Sequence, residues 1–292
     1  MMIVVTGAAG QLGRLTVEAL LERGVPASRI VAAVRSPGKA AGLARRGVDV
    51  READYDRPAT LAAAFEDARR VLLVSGSEVG RRVPQHRAVI DAAGQAGAEL
   101  LAYTSVLHAD TTTVPVAPEH RETEEYLRDS GLPHCLLRNG WYTENYEQAA
   151  RQGLRTGMIA GAAGDGRIAS ASRADYAAAA AAVLADEGTD GHGAHTDAVY
   201  ELSGDTAWTM ADFAAVLTDL TGTEVVYRDL SADGYAKALT GAGLPEGTAR
   251  FLAGTDAAIA AGHLGDTPGD LSRLIGRPTT PLRDTLAALL GI

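Results

Sequence analysis

The chain reads as an α/β protein: a doubly wound parallel sheet with helices on both faces, followed by a smaller, mostly helical C-terminal lobe. Three observations predict this. Short apolar, β-branched runs alternate with helix-length segments through the first half, the pattern of parallel βαβ units. Glycines stand just past the apolar-periodic stretches and stop them. A glycine-rich turn joins the first strand to the first helix.

Taken in order, strands are expected over 3–6, 30–34, 48–51, 71–74, 100–104 and 135–137, and helices over 11–23, 37–46, 59–67, 81–97 and 118–130. Gly24, Gly47, Gly97 and Gly131 mark four helix ends. Past residue 140 the rhythm changes. The span 153–166 is rich in Gly and Ala and reads as loop with short strands. A helix over 175–184, a strand over 198–202, a helix over 210–221 and a strand over 225–230 follow. Residues 233–290 read as mainly helical, broken at Pro245, Pro268 and Pro278. Residues 1–150 thus form a dinucleotide-binding Rossmann domain, and 151–292 a smaller substrate-side lobe partly interleaved with the sheet.

Composition narrows the partners. The 292 residues are 46% hydrophobic and 22% charged, as a folded domain requires, and the net charge of −10 argues against nucleic acid or an anionic membrane surface. Cys135 is the one cysteine, in an apolar run, so it reads as an inert core residue. No intrachain disulfide and no cysteine-held metal can form, which suits a reducing, cytoplasmic compartment. The start, Met1-Met2-Ile3-Val4-Val5-Thr6, reads as a strand and not as a signal peptide, and no apolar run has the length of a membrane span. The sequence leaves a homodimer open.

Thr6-Gly7-Ala8-Ala9-Gly10-Gln11-Leu12-Gly13 follows a strand and opens a helix. A turn there needs positive φ, bare backbone toward a pyrophosphate, and close helix–strand packing, and glycine meets all three demands. The helix-opening N–H groups then face the anion. At the end of the second strand stands Arg35, with no Asp or Glu between Glu22 and Asp49. An acidic residue there would hold a ribose 2′-hydroxyl; an arginine suits the 2′-phosphate of NADPH, the alternative being a solvated arginine at a helix start. The fourth strand runs into Ser75-Gly76-Ser77, small residues at a carboxyl strand end, with Ser77 equally suited to cap a helix.

A Tyr-x-x-x-Lys pair would donate a proton in ordinary alcohol–ketone chemistry. The only lysines, Lys39 and Lys237, do not follow a tyrosine by four. A candidate replacement is His120 with Glu124, on one helical face at i,i+4, though such a pair serves structure more often than catalysis.

Several further segments carry a resemblance. Thr104-Ser105 followed by Leu107-His108-Ala109-Asp110-Thr111, then Leu137-Arg138-Asn139-Gly140-Trp141-Tyr142-Thr143-Glu144-Asn145-Tyr146, Gly161-Ala162-Ala163-Gly164-Asp165-Gly166, Ser172-Arg173-Ala174-Asp175-Tyr176, Gly204-Asp205-Thr206-Ala207-Trp208-Thr209 and Pro278-Thr279-Thr280 span nearly the whole chain. Together they resemble the bacterial type 2 NADPH:quinone oxidoreductases, atypical short-chain dehydrogenase/reductases close to the NmrA-like proteins. The resemblance implies two-electron reduction of a small quinone by direct hydride transfer from NADPH, without flavin. On matching positions Gly7, Ala8, Ala9, Gly10, Gln11, Leu12 and Gly13 hold the pyrophosphate and Arg35 the 2′-phosphate. Ser75, Gly76 and Ser77 line the path to the nicotinamide. Asn139, Gly140, Trp141, Tyr142, Thr143 and Glu144 meet the nicotinamide end, and Arg173 completes the cofactor site. Asn139, Tyr142 and His120 are the catalytic candidates. A lysine of the phenylpropanoid-reductase relatives falls on His120, so lysine-based chemistry is not expected.

Trp141 and Tyr142 offer an aromatic wall for a flat ring, or core packing after a strand. Arg173 to Tyr176 also reads simply as a helix start. A non-catalytic NADP(H)-binding sensor of the NmrA type is the second reading of the chain, and reduction of an activated double bond or imine a third.

Overall fold

In the computed structural model, which describes residues 1–188 and 194–292, the strands are β1 (Met2–Thr6), β2 (Ile30–Val34), β3 (Asp49–Glu52), β4 (Ala68–Leu73), β5 (Leu100–Val106), β6 (His134–Asn139), β7 (Met158–Gly161), β8 (Ala198–Leu202) and β9 (Val226–Asp229). The helices are α1 (Gln11–Glu22), α2 (Ala41–Ala44), α3 (Pro58–Ala64), α4 (Arg82–Gln95), α5 (Ala117–Asp129), α6 (Glu147–Thr156), α7 (Arg173–Ala185), α8 (Met210–Thr221), α9 (Ala232–Gly241), α10 (Glu246–Ala260), α11 (Asp270–Ile275) and α12 (Leu282–Leu290). Seven strands form one sheet in the order β3-β2-β1-β4-β5-β6-β8, and each neighbouring pair is parallel. The chain leaves β1 to either side, which opens a crevice between β1 and β4 at the carboxyl edge.

Alternation along β1 decides which helices cover which face. Ile3 and Val5 point into a core shared with Leu12, Val17 and Leu20 of α1 and with the alanine-rich α7, while Val4 faces α3, α4 and α5. The small side chains Ala177, Ala180 and Ala181 let α7 lie close to α1. A separate core around Tyr146, Trp208, Phe213 and Ile259 holds α6, α8, α10 and α12, with β7 and β9 as a two-stranded parallel sheet.

The α/β reading holds, as do β2 and α8 to the residue. Gly24, Gly47, Gly97 and Gly131 all adopt positive φ at helix or turn ends. Four expectations need correction, each for a physical reason. β4 starts at Ala68, three residues earlier than apolar content suggests, because the buried Arg70 caps α7 by donating to the carbonyls of Val183, Leu184 and Asp186. β6 continues through Arg138 and Asn139 because Arg138 pairs with the buried Glu124 and Asn139 Nδ2 donates to the Tyr142 hydroxyl. The expected loop from residue 153 begins instead within α6, where Gly153 serves close packing. A Cβ there would stand 2.7 Å from Ile159 Cγ1 and 3.0 Å from Val225 Cγ1. Ser77 caps nothing: α4 starts at Arg82 with no side-chain cap. β8 lies in the main sheet and α7 in its helical cover, although both come from beyond residue 150.

Candidate active site

The carboxyl edge of the sheet gathers the ends of β1, β2, β4, β5, β6 and β8. At β1, Gly7 turns the chain with φ +60°, a conformation costly for a side chain. A Cβ on Gly13 would lie 2.5 Å from the Gly7 carbonyl oxygen, so α1 can meet the turn only without one. Gly10 caps the helix with no side chain, and its own N–H returns to the Gly7 carbonyl at 2.8 Å. No acidic residue occupies the first turn of α1, and Gly7, Ala9, Gly10 and Gln11 are exposed, while Ala8, Leu12 and Gly13 are buried beneath them. The result is a shallow cradle of backbone with the positive end of a helix behind it.

Beside the cradle, Tyr55 ties three loops. Its hydroxyl donates to Thr6 Oγ1 at 2.6 Å or to the Val74 carbonyl at 2.9 Å, and the Thr6 hydroxyl lies between β1 and β4 as acceptor for the Val74 N–H. Burial pushes the Tyr55 hydroxyl far above its usual range. Arg35 is exposed at the end of β2 and pairs with Glu78 at 3.3 Å. Ser75 donates its N–H to Thr104 Oγ1 at 2.9 Å, which links the ends of β4 and β5.

The other half of the edge is built from side chains. Asn139 ends β6, is buried, and donates from Nδ2 to the Tyr142 hydroxyl at 3.2 Å. Its Oδ1 is buried with no hydrogen-bond partner among the described residues. Gly140 leaves no room for a Cβ, which would come within 3.0 Å of the Leu202 carbonyl and the Tyr176 hydroxyl. Tyr142 stacks edge-on with Tyr176 at 5.1 Å, and the Arg173 guanidinium covers its ring at 4.8 Å. Burial raises the Tyr142 phenol above its usual range, with the Asn139 hydrogen bond and the Arg173 charge opposing. The Glu144 carboxylate accepts the Arg173 N–H at the start of α7, and Arg173 Nη2 reaches Asn145 Oδ1 at 2.7 Å. Thr143 Oγ1 meets Ser170 Oγ at 2.8 Å, and Ser170 Oγ accepts from Trp208 Nε1 at 3.1 Å. Trp141 packs, half-buried, against the C-terminal core.

His120 is placed apart from Glu124. Its Nδ1 is 2.7 Å from the Tyr103 hydroxyl, beneath the sheet edge, and the Tyr103 ring also meets the His86 ring. Burial, reinforced by the nearby Arg82 charge, lowers His120 and His86 to about 3, so both are neutral near pH 7. Glu124 belongs to another network. It holds Arg138 through two contacts of 3.0 and 2.8 Å and accepts from Ser105 Oγ at 2.5 Å, and Arg138 reaches Glu201 at 2.7 Å. The i,i+4 pair thus has separate partners: His120 meets β5 alone, and Glu124 joins β5 to β6.

Of the expected residues, Gly7 to Gly13, Arg35 and Ser75 to Ser77 border the crevice of β1, β2 and β4, and Asn139 to Glu144 cluster with Arg173. Sequence reasoning missed Tyr55, Ser170, His86, Arg138 and Glu201. A charged residue inside an apolar strand, as at Arg138, was the available signal; Tyr55 and Ser170 carry none.

Two features fit a dinucleotide: the backbone cradle that any Cβ at Gly13 would close, and the unpaired Asn139 Oδ1 at the same edge. The fold and these features define a Rossmann-type nucleotide-binding protein. A family model described as NAD(P)H-binding matches residues 7–187, and the chain belongs to that family. The chain is 51% identical over 291 residues to "Quinone oxidoreductase 2" of Escherichia coli, covering 100% of this chain and 99% of that protein. A crystal structure of the NADPH-dependent quinone oxidoreductase of Escherichia coli complexed with NADPH superposes with a TM-score of 0.94, over 99% of this chain and 100% of that one. The triphenylmethane reductase of Citrobacter sp., complexed with NADP(H), is 37% identical and superposes with a TM-score of 0.91, over 98% and 99% of the two chains. The resemblance to the type 2 quinone oxidoreductases is therefore borne out. Among the described residues, no helix is long and apolar enough to cross a membrane.

Proposed function

We propose that this protein reduces a small quinone by two electrons with NADPH, by direct hydride transfer and without flavin. One observation carries the reading: the unpaired Asn139 Oδ1 beside the Tyr142 hydroxyl, on the sheet edge that also carries the Gly7–Gly13 cradle and Arg35. The 51% identity to a quinone oxidoreductase over the full chain supports the same substrate class. Bound NADPH supplies the hydride from its nicotinamide ring.

The chain's own residues bind, orient and provide a proton. The amides opening α1 meet the pyrophosphate, and the Arg35 guanidinium takes the 2′-phosphate. Ser75, Gly76 and Ser77 border the path between the two ends. Asn139 Oδ1 accepts from an amide N–H of the nicotinamide end, which would satisfy a buried oxygen that otherwise lacks a partner. The Tyr142 hydroxyl already accepts from Asn139, which leaves its own O–H proton free for a substrate oxygen. That phenol stays protonated near pH 7, as a donor to a developing oxyanion must. Arg173 and Tyr176 fix the Tyr142 ring, and Trp141 extends the aromatic wall. A quinol anion is a stable leaving state, so positioning the two rings supplies much of the acceleration. His120, neutral and hydrogen-bonded to Tyr103, positions the end of β5 in this reading and donates no proton. Residues 1–150, with α7 and β8 from the later chain, carry the coenzyme, and the remaining C-terminal elements cover the substrate. The single cysteine, free and buried, accords with a cytoplasmic location.

The test is NADPH consumption by flavin-free protein on addition of 1,4-benzoquinone or a naphthoquinone, with NADH as comparison. Steady turnover with NADPH and a much weaker response to NADH is the expected result. Binding of NADPH without turnover on either quinone would overturn the assignment.

A further inference from the structure

The loop after β4 is fastened at both ends. The Gly76 N–H donates to His86 Nε2 at 3.0 Å, and its carbonyl accepts from Arg82 Nε at 2.5 Å. The Gly80 N–H donates to Glu119 Oε1 at 2.8 Å, and Arg82 Nη1 closes the frame on Glu119 Oε2 at 3.1 Å. Arg82 and His86 are buried, so the Gly76 end of the frame is anchored in the core, while the Gly80 end lies at the surface. Ser77, Glu78 and Val79 are carried between these anchors.

From that held tip, Glu78 crosses the crevice. One carboxylate oxygen lies 3.3 Å from Arg35 Nη1 at the end of β2, and the other 3.2 Å from Arg81 Nη1 on the loop itself. Arg81 Nη2 is in turn 2.9 Å from Asp56 Oδ1, beyond β3. Two guanidinium groups from opposite sides of the crevice thus converge on one oxyanion, in the reach of the residue assigned to the 2′-phosphate. Guanidinium pairs match phosphate oxygens as they match carboxylate oxygens, and a dianion binds them more strongly than a monoanion.

We propose that Glu78 is a built-in stand-in for the 2′-phosphate of the coenzyme, that Arg81 is the second guanidinium of that phosphate site, and that binding exchanges carboxylate for phosphate. The proposal rests on Arg35 reading the 2′-phosphate, as argued above. In the coenzyme-free protein Glu78 keeps Arg35 and Arg81 aimed at one point. A coenzyme with a bare 2′-hydroxyl has no charge with which to displace it, so its binding leaves the Glu78 contacts in place. The carboxylate also repels the phosphate that replaces it, and its charge therefore weakens NADPH binding.

The experiment is calorimetric titration with 2′,5′-ADP and with 5′-AMP, probes that differ only in the 2′-phosphate. With Glu78→Gln, 2′,5′-ADP should bind about two- to fivefold more tightly, the scale of an exposed ionic contact, and 5′-AMP should be unchanged. With Arg81→Gln, 2′,5′-ADP should weaken by about threefold or more, again without effect on 5′-AMP. Equal changes for both probes, or none for 2′,5′-ADP in either variant, overturn the proposal. Arg35→Ala separates the two layers. If it leaves the ratio of the two probes unaltered, the phosphate-reading role of Arg35 falls together with the proposal. If it lowers the ratio while Glu78→Gln and Arg81→Gln do not shift it, only the stand-in falls.

Discussion

The two ends of the proposed cofactor crevice are made differently. At the pyrophosphate end one contiguous stretch, Gly7 to Gly13, supplies the surface, and what matters is the absence of side chains. At the nicotinamide end the surface is Asn139, Tyr142 and Arg173, with Ser170 behind; Asn139 ends β6, Tyr142 precedes the short 3-10 helix Thr143–Tyr146, and Arg173 starts α7. A backbone-built site is encoded locally, because φ and close approach are properties of neighbouring residues. A side-chain-built site depends on tertiary packing to bring distant groups together, and on buried partners to keep them there. The two ends should therefore fail separately and for different reasons.

The largest effect is expected beneath the side-chain end. Arg138→Met leaves Glu124, almost wholly buried, with only the exposed Arg128 as a charged partner. Breaking a buried pair costs about 3–5 kcal/mol, so the urea midpoint should fall steeply and Asn139 should lose its support. Gly13→Val attacks the backbone end. Its Cβ would meet the turn at 2.5 Å, and the strain should cost about 1–3 kcal/mol together with coenzyme binding. A variant that keeps both melting temperature and NADPH affinity would show that the cradle yields more easily than its geometry implies.

Arg35→Ala sharpens the contrast within the coenzyme. We expect about a tenfold loss in NADPH affinity, or about 1.4 kcal/mol, with NADH affinity little changed in parallel titrations. Asn139→Leu should lower kcat/KM for quinone by about two- to tenfold, the scale of one hydrogen bond, while 2′,5′-ADP binds as before. Equal losses in kcat/KM and in 2′,5′-ADP affinity would mean that the two ends are coupled. The smallest effect near pH 7 concerns the histidines behind β5. His86 and His120 titrate at about 3 when folded, while an unfolded histidine titrates near 6.5, so the unfolded chain binds more protons between these values. Stability is then full above about pH 6.5 and declines as the pH falls toward 3. Urea midpoints measured from pH 8 to pH 4 should show that decline, and it should flatten in His120→Asn.

Much of this is legible in the sequence. The short apolar runs identified β1, β2 and β5 because these strands are buried on both faces, and helical length and spacing identified α8. The glycine turn was readable because each glycine answers a steric demand at its own position. Arg35 was readable through its distance from the turn. The pattern failed where polar residues are buried or glycine packs tightly. Arg70 and Arg138 hid the true lengths of β4 and β6, and Gly153 disguised α6 as loop.

The sequence by itself determined the fold class, the cradle and the family likeness, since these follow from short-range sterics, hydrophobic periodicity and contiguous motifs. Only the tertiary structure decided that His120 faces Tyr103 and not Glu124, that Asn139 keeps one buried oxygen unpaired, and that Glu78 spans from Arg35 to Arg81. These are matters of which polar group meets which across the sheet edge. Partners far apart in the chain are selected by the need to satisfy buried or converging charge, and no local pattern records that choice.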